Sequence, residues 1–124
     1  FDYMYVDDLL NIVEFYIEND ARHKIYNASS GVKIDLLSLA ALVNEASDFK
    51  SEIIVMNAGL NNEYTSDNSL LKSEMGGRFK LTPHSEAIGK IRKYFKQNFA
   101  NLDLETIKKD PYLRKINEIW KGKK

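Results

Sequence analysis

The chain has 124 residues, 44% of them hydrophobic and 29% charged, as expected for one globular domain or part of one. It has no cysteine, which excludes disulfides, thiol catalysis and cysteine-based zinc sites and is compatible with the cytoplasmic location that we expect. No apolar run approaches the roughly 18 residues of a membrane span, so we expect no membrane partner.

In the first half of the chain, apolar spacing predicts short strands alternating with helices. A strand or its end is expected at residues 3–6, and Asp7 then caps a helix over residues 7–19. Residues 24–28 form a second short strand. Asp35 caps the next helix, whose apolar stripe comprises Leu36, Leu39, Ala40, Val43 and Ala46. The β-branched run 52–56 predicts a third strand, and a polar loop follows at residues 57–62.

The second half of the chain reads as helices alone. Asp67 is expected to cap a short helix containing Leu70 and Leu71, which ends at Gly76 and Gly77. Pro83 begins a longer helix, whose buried face is predicted to hold Ala87, Ile88, Ile91, Tyr94 and Phe95. A last helix restarts at Asp110-Pro111 and carries Leu113, Ile116, Ile119 and Trp120.

Catalytic motifs do not accompany these elements. The glycines are scattered, and none forms the glycine-rich turn that a dinucleotide pyrophosphate needs. None of the seven tyrosines is followed four residues later by a lysine, the pair that short-chain dehydrogenases use. His23 and His84 are too isolated to predict a metal site. The adjacent carboxylates Asp7 and Asp8 could form a general acid/base pair, but helix capping explains both of them.

Charge is distributed unevenly along the chain. Residues 1–20 contain six acidic side chains and no Lys or Arg, whereas the chain from Lys80 onward contains 12 Lys or Arg and 5 Asp or Glu. A basic end of this kind can bind nucleic acid, but solvated helix faces explain it as well. Since no aromatic-and-basic recognition motif accompanies the charge, we favour solvated helix faces over a nucleic-acid partner, and a nucleic-acid-binding domain built on the basic C-terminal helices stays as the weaker alternative.

Three sequence blocks carry a resemblance to a known family. Residues 2–9 (DYMYVDDL) are similar to the pattern R-D-[FY]-x-[YH]-V-x-D-[LV], and residues 25–31 (IYNASSG) to V-Y-N-[IL]-G-[ST]-G. Residues 64–71 (YTSDNSLL) with 79–83 (FKLTP) are similar to Y-x-x-D-x-[ST]-[KR]-x-x-x-x-L-G-[FW]-x-P. Together the blocks resemble the NAD-dependent epimerase/dehydratase branch of the extended short-chain dehydrogenase/reductase family.

The resemblance covers residues 1–98 and implies the C-terminal, substrate-side lobe of a nucleotide-sugar epimerase or dehydratase. It implies an α/β fold, a helix-rich lobe of a Rossmann-type enzyme with two or three short strands. Residues 99–124 are expected to form a basic helical extension. In such enzymes an N-terminal lobe binds NAD or NADP and carries the catalytic residues. By this reading the chain is part of a longer protein and by itself binds no cofactor and holds no catalytic residue.

The family also suggests where a nucleotide sugar would bind. The resemblance implies that Tyr3 is the best candidate for a substrate contact, since the matching residue of the family lies near the nucleotide diphosphate. The arginine that usually precedes this block is replaced by Phe1. The amide-rich loop at residues 57–62 also lies where relatives often have Arg and Asp. Amides can hydrogen-bond a sugar or a base, but they cannot neutralise a diphosphate. The candidate substrate-binding residues are therefore Tyr3, Asn57, Asn61, Asn62 and Tyr64.

Alternatives to these readings remain open. Asp67 can cap a helix, Asn27 can bind backbone and Tyr64 can be a core ring, none of them needing a ligand. The chain can also be a non-catalytic binding or interaction module derived from the same lobe. Since a lobe of this kind normally packs against a Rossmann sheet, we expect exposed apolar surface and, with it, either a homodimer or weak folding of the isolated chain.

Overall fold

The computed structural model describes residues 1–55, 59 and 62–121. Within these ranges the chain forms six α-helices: α1 (Val6–Glu18), α2 (Leu36–Ala46), α3 (Ser69–Met75), α4 (His84–Gln97), α5 (Leu104–Lys108) and α6 (Pro111–Lys121). Short 3-10 helices follow α3 at Gly76–Arg78 and α4 at Phe99–Asn101. The chain divides into two compact units, Phe1–Arg92 and Lys93–Lys124.

The predicted α/β fold is wrong, because none of the described residues lies in a β-strand. Residues 3–5, 25–28 and 52–55 lie outside any helix and form no ladder, and Lys24 lies in a bend. Val6, the last residue of the first predicted strand, already belongs to α1. Met56 lies outside the described residues. A strand needs a neighbour that pairs with successive backbone groups. Among the described extended segments, mutual backbone pairing is confined to Phe1 and Ile34, so the β-branched pattern finds no sheet to join.

Helix α1 begins one residue before its predicted start. Its N-cap is Tyr5, which makes no side-chain capping bond, so the predicted capping role of Asp7 is wrong. Asp7 and Asp8 instead lie in the first turn, where carboxylates interact favourably with the helix dipole. The helix ends where Asn19 becomes extended, and the Asn19 Nδ2 donates to the Phe15 carbonyl at 2.8 Å.

The core of the first unit lies between α1 and α3. Ile12 and Phe15 of α1 pack with Leu71 and Met75 of α3, and these four residues form one buried cluster. Partly buried side chains surround the cluster: Met4, Tyr16, Tyr26 and Phe79. Burying a side chain of this size contributes about 1.5–3 kcal/mol, so four of them make a small core. Gly76 ends α3 as predicted, with a φ of 53° that suits glycine.

The remaining helices bury little of their apolar surface. Asp35 caps α2 as predicted, accepting hydrogen bonds from the Ser38 amide (2.8 Å) and hydroxyl (2.6 Å), yet α2 has no buried residue. Asp67 was predicted to cap α3, but the N-cap is Asn68, and Asp67 accepts from the Ser69 amide at 2.9 Å. The predicted buried face of α4 is wrong beyond Ala87: Ile88 is half-buried, and three members are exposed, namely Ile91, Tyr94 and Phe95.

A carboxylate on α3 holds the loop that follows α1. Glu74 accepts hydrogen bonds from the Tyr26 hydroxyl (2.6 Å) and the Arg22 amide (3.0 Å). The Tyr26 hydroxyl in turn accepts from the His23 amide at 2.8 Å. Partial burial raises the pKa of Glu74, but the hydrogen bonds from Tyr26 and Arg22 outweigh it and hold the pKa below 4.5.

The stability of the chain should therefore fall in acid, partly through Glu74. A carboxyl group whose pKa is depressed by folding stabilises the fold above its ordinary pKa, and the contribution is lost as pH falls through the folded-state value. We expect the urea midpoint of the wild type to fall more steeply below pH 4.5 than that of Glu74→Gln. The exposed residue Glu45 provides the control variant, Glu45→Gln. Identical pH profiles for the wild type and Glu74→Gln would contradict this role.

Candidate functional site

Three aromatic side chains meet at one edge of the first unit. The ring of Phe1 lies 5.7 Å from that of Tyr3 and 5.5 Å from that of Tyr64, and it stacks on Tyr64 at an interplanar angle of 19°. All three rings remain partly open to solvent. We call Phe1, Tyr3 and Tyr64 the aromatic cluster. Exposed, nearly parallel rings of this kind provide apolar area on which a planar ligand can stack.

Backbone and side-chain bonds from neighbouring segments fix the aromatic cluster. Phe1 and Ile34 exchange two backbone hydrogen bonds, of 2.9 and 3.3 Å. Asp2 accepts from the Ser66 amide at 3.2 Å, which holds the segment carrying Tyr64 beside the segment carrying Tyr3. Next to these bonds Lys33 pairs with Glu63 at 2.7 Å, and Lys33 lowers the pKa of Glu63 below its ordinary value.

The second and third sequence blocks are joined by hydrogen bonds between side chains and backbone. Asn27 Nδ2 donates to the Asp67 carbonyl and Asn68 Nδ2 to the Ser29 carbonyl, both at 2.9 Å. Ser29 is buried, and its hydroxyl donates to the Ser66 carbonyl at 3.3 Å. Gly31 has a φ of 67°, and a Cβ there would lie 3.0 Å from Asn68 Nδ2. Asn27 therefore binds backbone, as expected under the interpretation in which it needs no ligand.

The first and third blocks are joined through a buried carboxylate. Asp8 is 4% exposed and accepts hydrogen bonds from the Thr82 amide (2.8 Å) and the Thr82 hydroxyl (2.7 Å). Both carboxylate oxygens are thus engaged within the protein. The pairing assigns Asp8 a structural role and removes the basis for an acid/base pair with Asp7, which is exposed.

A cleft of about 220 Å³ extends from Tyr3 along the joint between the first and third blocks. Its walls come from residues 3–5, Asp8, Ser30, Val32 and residues 81–84. His84 Nε2 lies 3.2 Å from the Tyr3 carbonyl oxygen at the mouth. Desolvation, followed by the hydrogen bond to Asp7, raises the pKa of Tyr5 and keeps its phenol protonated at neutral pH.

The site can bind and orient a ligand, but it does not fit a dinucleotide cofactor. A pyrophosphate needs backbone amides at a glycine-rich turn that leads into a helix. Gly31 packs against Asn68, and Gly76 ends a helix rather than beginning one. Within the described ranges there is also no group of three His, Cys, Asp or Glu side chains that could hold a metal ion.

The structure unites part of the predicted substrate site. Tyr3 and Tyr64 lie in one cluster, and Asn62 lies two residues before Tyr64 in the same extended segment. Asn57 and Asn61 fall outside the described residues. The contact of Phe1 with both tyrosines was not predicted, since Phe1 was interpreted only as the replacement of an arginine. The alternation of aromatic residues at positions 1 and 3 was the one available signal.

Comparisons of the chain with protein-family models, with curated proteins and with solved structures gave no significant match. The resemblance to the epimerase/dehydratase branch therefore rests on the three sequence blocks themselves. Where the structure describes helices, none of them is long and apolar enough to cross a membrane.

Proposed function

We propose that this chain is the substrate-binding portion of an NAD(P)-dependent nucleotide-sugar epimerase or dehydratase. In this proposal the aromatic cluster contacts the nucleotide, and the adjoining cleft faces the sugar. NAD or NADP and the hydride-transfer chemistry belong to a separate lobe, because the described residues of this chain do not fit the cofactor. The chain itself binds and orients the substrate.

The observation that carries the proposal is that side-chain hydrogen bonds join the third block to both the first and the second, while the aromatic cluster brings together residues of the first and third. The resemblance was drawn from short motifs far apart in sequence. Their polar residues bond to one another rather than to unrelated segments: Asp8 to Thr82, Asn27 to Asp67 and Asn68 to Ser29. A chance similarity of three separate motifs would give no reason for them to share one edge. Tyr3 of the first block and Tyr64 of the third block are both exposed in the aromatic cluster.

A second observation supports a partner lobe. Helix α1 buries Ile12 and Phe15 on one side, yet Val6, Leu10, Val13 and Ile17 form an exposed apolar stripe at helical spacing. A helix that is apolar on both sides belongs between two layers. Helix α2 likewise leaves Leu36 and Val43 exposed. We propose that these faces pack against the NAD(P)-binding lobe, with a homodimer through the same faces as the competing occupant.

Nucleotide binding to the aromatic cluster gives a direct test. We expect Tyr64→Ala to weaken binding of UDP or GDP to the 124-residue chain by about tenfold, because stacking one base on an aromatic ring contributes about 1–3 kcal/mol. Ligand-observed NMR measures such weak affinities. Tyr112→Ala removes an exposed tyrosine of the second unit and should leave binding unchanged. Equal affinities for the two variants would contradict the assignment.

The catalytic part of the proposal is tested outside this chain. The coding region upstream of residue 1 should encode a glycine-rich turn and a Tyr-x-x-x-Lys pair, and the complete protein should convert a nucleotide sugar from a tested panel. An upstream region without these motifs, together with retained nucleotide binding, would favour the non-catalytic binding module. Sedimentation at several concentrations then shows whether the exposed faces are occupied by a second copy.

A further inference from the structure

The second unit, Lys93–Lys124, ends in a helix with a well-defined start. Asp110 precedes α6, and its Oδ1 accepts from the amides of Tyr112 (2.8 Å) and Leu113 (3.2 Å). This bond satisfies donors that a helix N-terminus otherwise leaves free, and Pro111 lacks a donor altogether. Helix α6 therefore forms at a fixed position, and the angular placement of its side chains can be read from the helix period.

Apolar and basic side chains occupy different sides of α6. At about 100° per residue, Tyr112, Ile116 and Leu113 fall within an arc of roughly 100°. Lys115 lies about 60° beyond one border of this arc and Arg114 about 100° beyond the other. The apolar side is exposed: Tyr112 to 78%, Ile116 to 57% and Leu113 to 36%. Among its described side chains, the helix thus presents an exposed apolar stripe with Lys115 nearest its border, while Arg114 and Glu118 lie on the opposite side.

The charge of the whole unit has the same sign. Its sequence contains nine Lys or Arg and four Asp or Glu, a net charge of +5. An exposed apolar stripe beside Lys115, in a unit of net positive charge, matches a surface that is apolar within and anionic at its boundary. At 11 residues α6 is about 16 Å long, too short to span a bilayer but long enough to lie in its interface.

We propose that α6 binds the surface of an anionic lipid membrane, with the apolar stripe in the headgroup boundary and the cations against lipid phosphates. A convex helix face with no matched groove buries its side chains readily in a fluid interface, whereas a protein partner needs a complementary pocket. Tyrosine suits this position because its ring and hydroxyl span the apolar and polar sides of the boundary. The inference is independent of the proposed catalytic function, and it revises the expectation of no membrane partner, which was argued only from the lack of a spanning segment.

Co-sedimentation of the 124-residue chain with lipid vesicles tests the proposal. We expect binding to vesicles of phosphatidylcholine mixed with phosphatidylglycerol, and little binding to phosphatidylcholine alone. The double variant Arg114→Gln/Lys115→Gln should bind roughly thirty-fold more weakly, from the usual contribution of two cations near an anionic surface. Ile116→Glu should lose about tenfold or more. The control Lys72→Gln/Lys80→Gln removes the same charge from the first unit and should bind like the wild type.

Several outcomes would overturn the proposal. Equal binding to both vesicle types would contradict an electrostatic contribution from anionic lipid. If the control variant lost as much vesicle binding as the α6 variant, the net charge of the chain, and not α6, would account for the binding. Binding to polyglutamate or to RNA, with none to anionic vesicles, would assign the helix to an acidic protein or a nucleic acid instead. Circular dichroism of each variant separates lost binding from lost folding. Conversely, loss confined to the α6 variants, with an unchanged spectrum, supports a lipid contact.

Discussion

Replacing Leu71 by alanine is expected to lower the free energy of unfolding by about 3 kcal/mol. Leu71 is 0% exposed and lies in the α1–α3 core, which it shares with Ile12, Phe15 and Met75. The substitution removes the transfer energy of the side chain and leaves a cavity that a tightly packed core closes only partly. Because the core contains few other buried residues, the loss amounts to a large share of the total stability.

The adjacent residue provides a control for this substitution. Leu70 lies on the same short helix and is 52% exposed, so Leu70→Ala should change the unfolding free energy by less than about 1 kcal/mol. Urea denaturation followed by circular dichroism measures both variants. If the two substitutions had equal effects, Leu71 would not be the centre of the core.

Asp8→Ala should be comparably destabilising, by about 3 kcal/mol, for a polar reason. The carboxylate accepts two hydrogen bonds from Thr82, and hydrogen bonds to a charged group contribute about 1.5–3 kcal/mol each. Its removal also leaves the part-buried Thr82 amide without a partner. Since this bond joins the first block to the third, the cleft beside Tyr3 should open as well.

Asp7→Ala is the matched control for Asp8→Ala. The two residues share the first turn of α1 and its dipole, but Asp7 is exposed. We expect a loss below about 1 kcal/mol for Asp7→Ala in urea denaturation. Asp8→Asn should fall between the two, because the amide oxygen still accepts but its NH₂ cannot. Equal effects of the two alanine variants would show that only the helix dipole matters.

Local helix chemistry was only partly predictable from the sequence. Asp35 caps α2 as predicted, because its carboxylate binds the amide three residues on, whereas Asp7 and Asp67, chosen by the same rule, are not the N-caps of their helices. The strand predictions were wrong because strand pairing depends on segments that are distant in the sequence. Ile25 lies in a segment whose sequence predicts a strand, yet it is exposed and joins no ladder among the described residues. A β-branched run signals extended backbone, and only a neighbouring strand makes it a sheet.

The candidate site was partly predictable. The motif match pointed to Tyr3 and Tyr64, but nothing local indicates that Phe1 stacks on Tyr64, since the two residues are far apart in the sequence. Asp8 was interpreted as part of a capping pair. Its actual partner, Thr82, is 74 residues away in the sequence, and no local pattern indicates such a contact. Contacts between distant residues have no periodic signal, so single-sequence patterns miss them.

The blocks around the aromatic cluster are held by separate side-chain bonds rather than by a continuous ladder. The Asp8–Thr82 bond and the Asn27–Asp67 bond share no residue. Losses at such independent sites should add, with little coupling free energy between them in a double-mutant cycle. Each loss should lower the stability of the fold separately and leave the other bond in place. Under the proposed function, ligand preference at this edge is therefore best changed at the exposed rings of Tyr3 and Tyr64, which take part in neither bond.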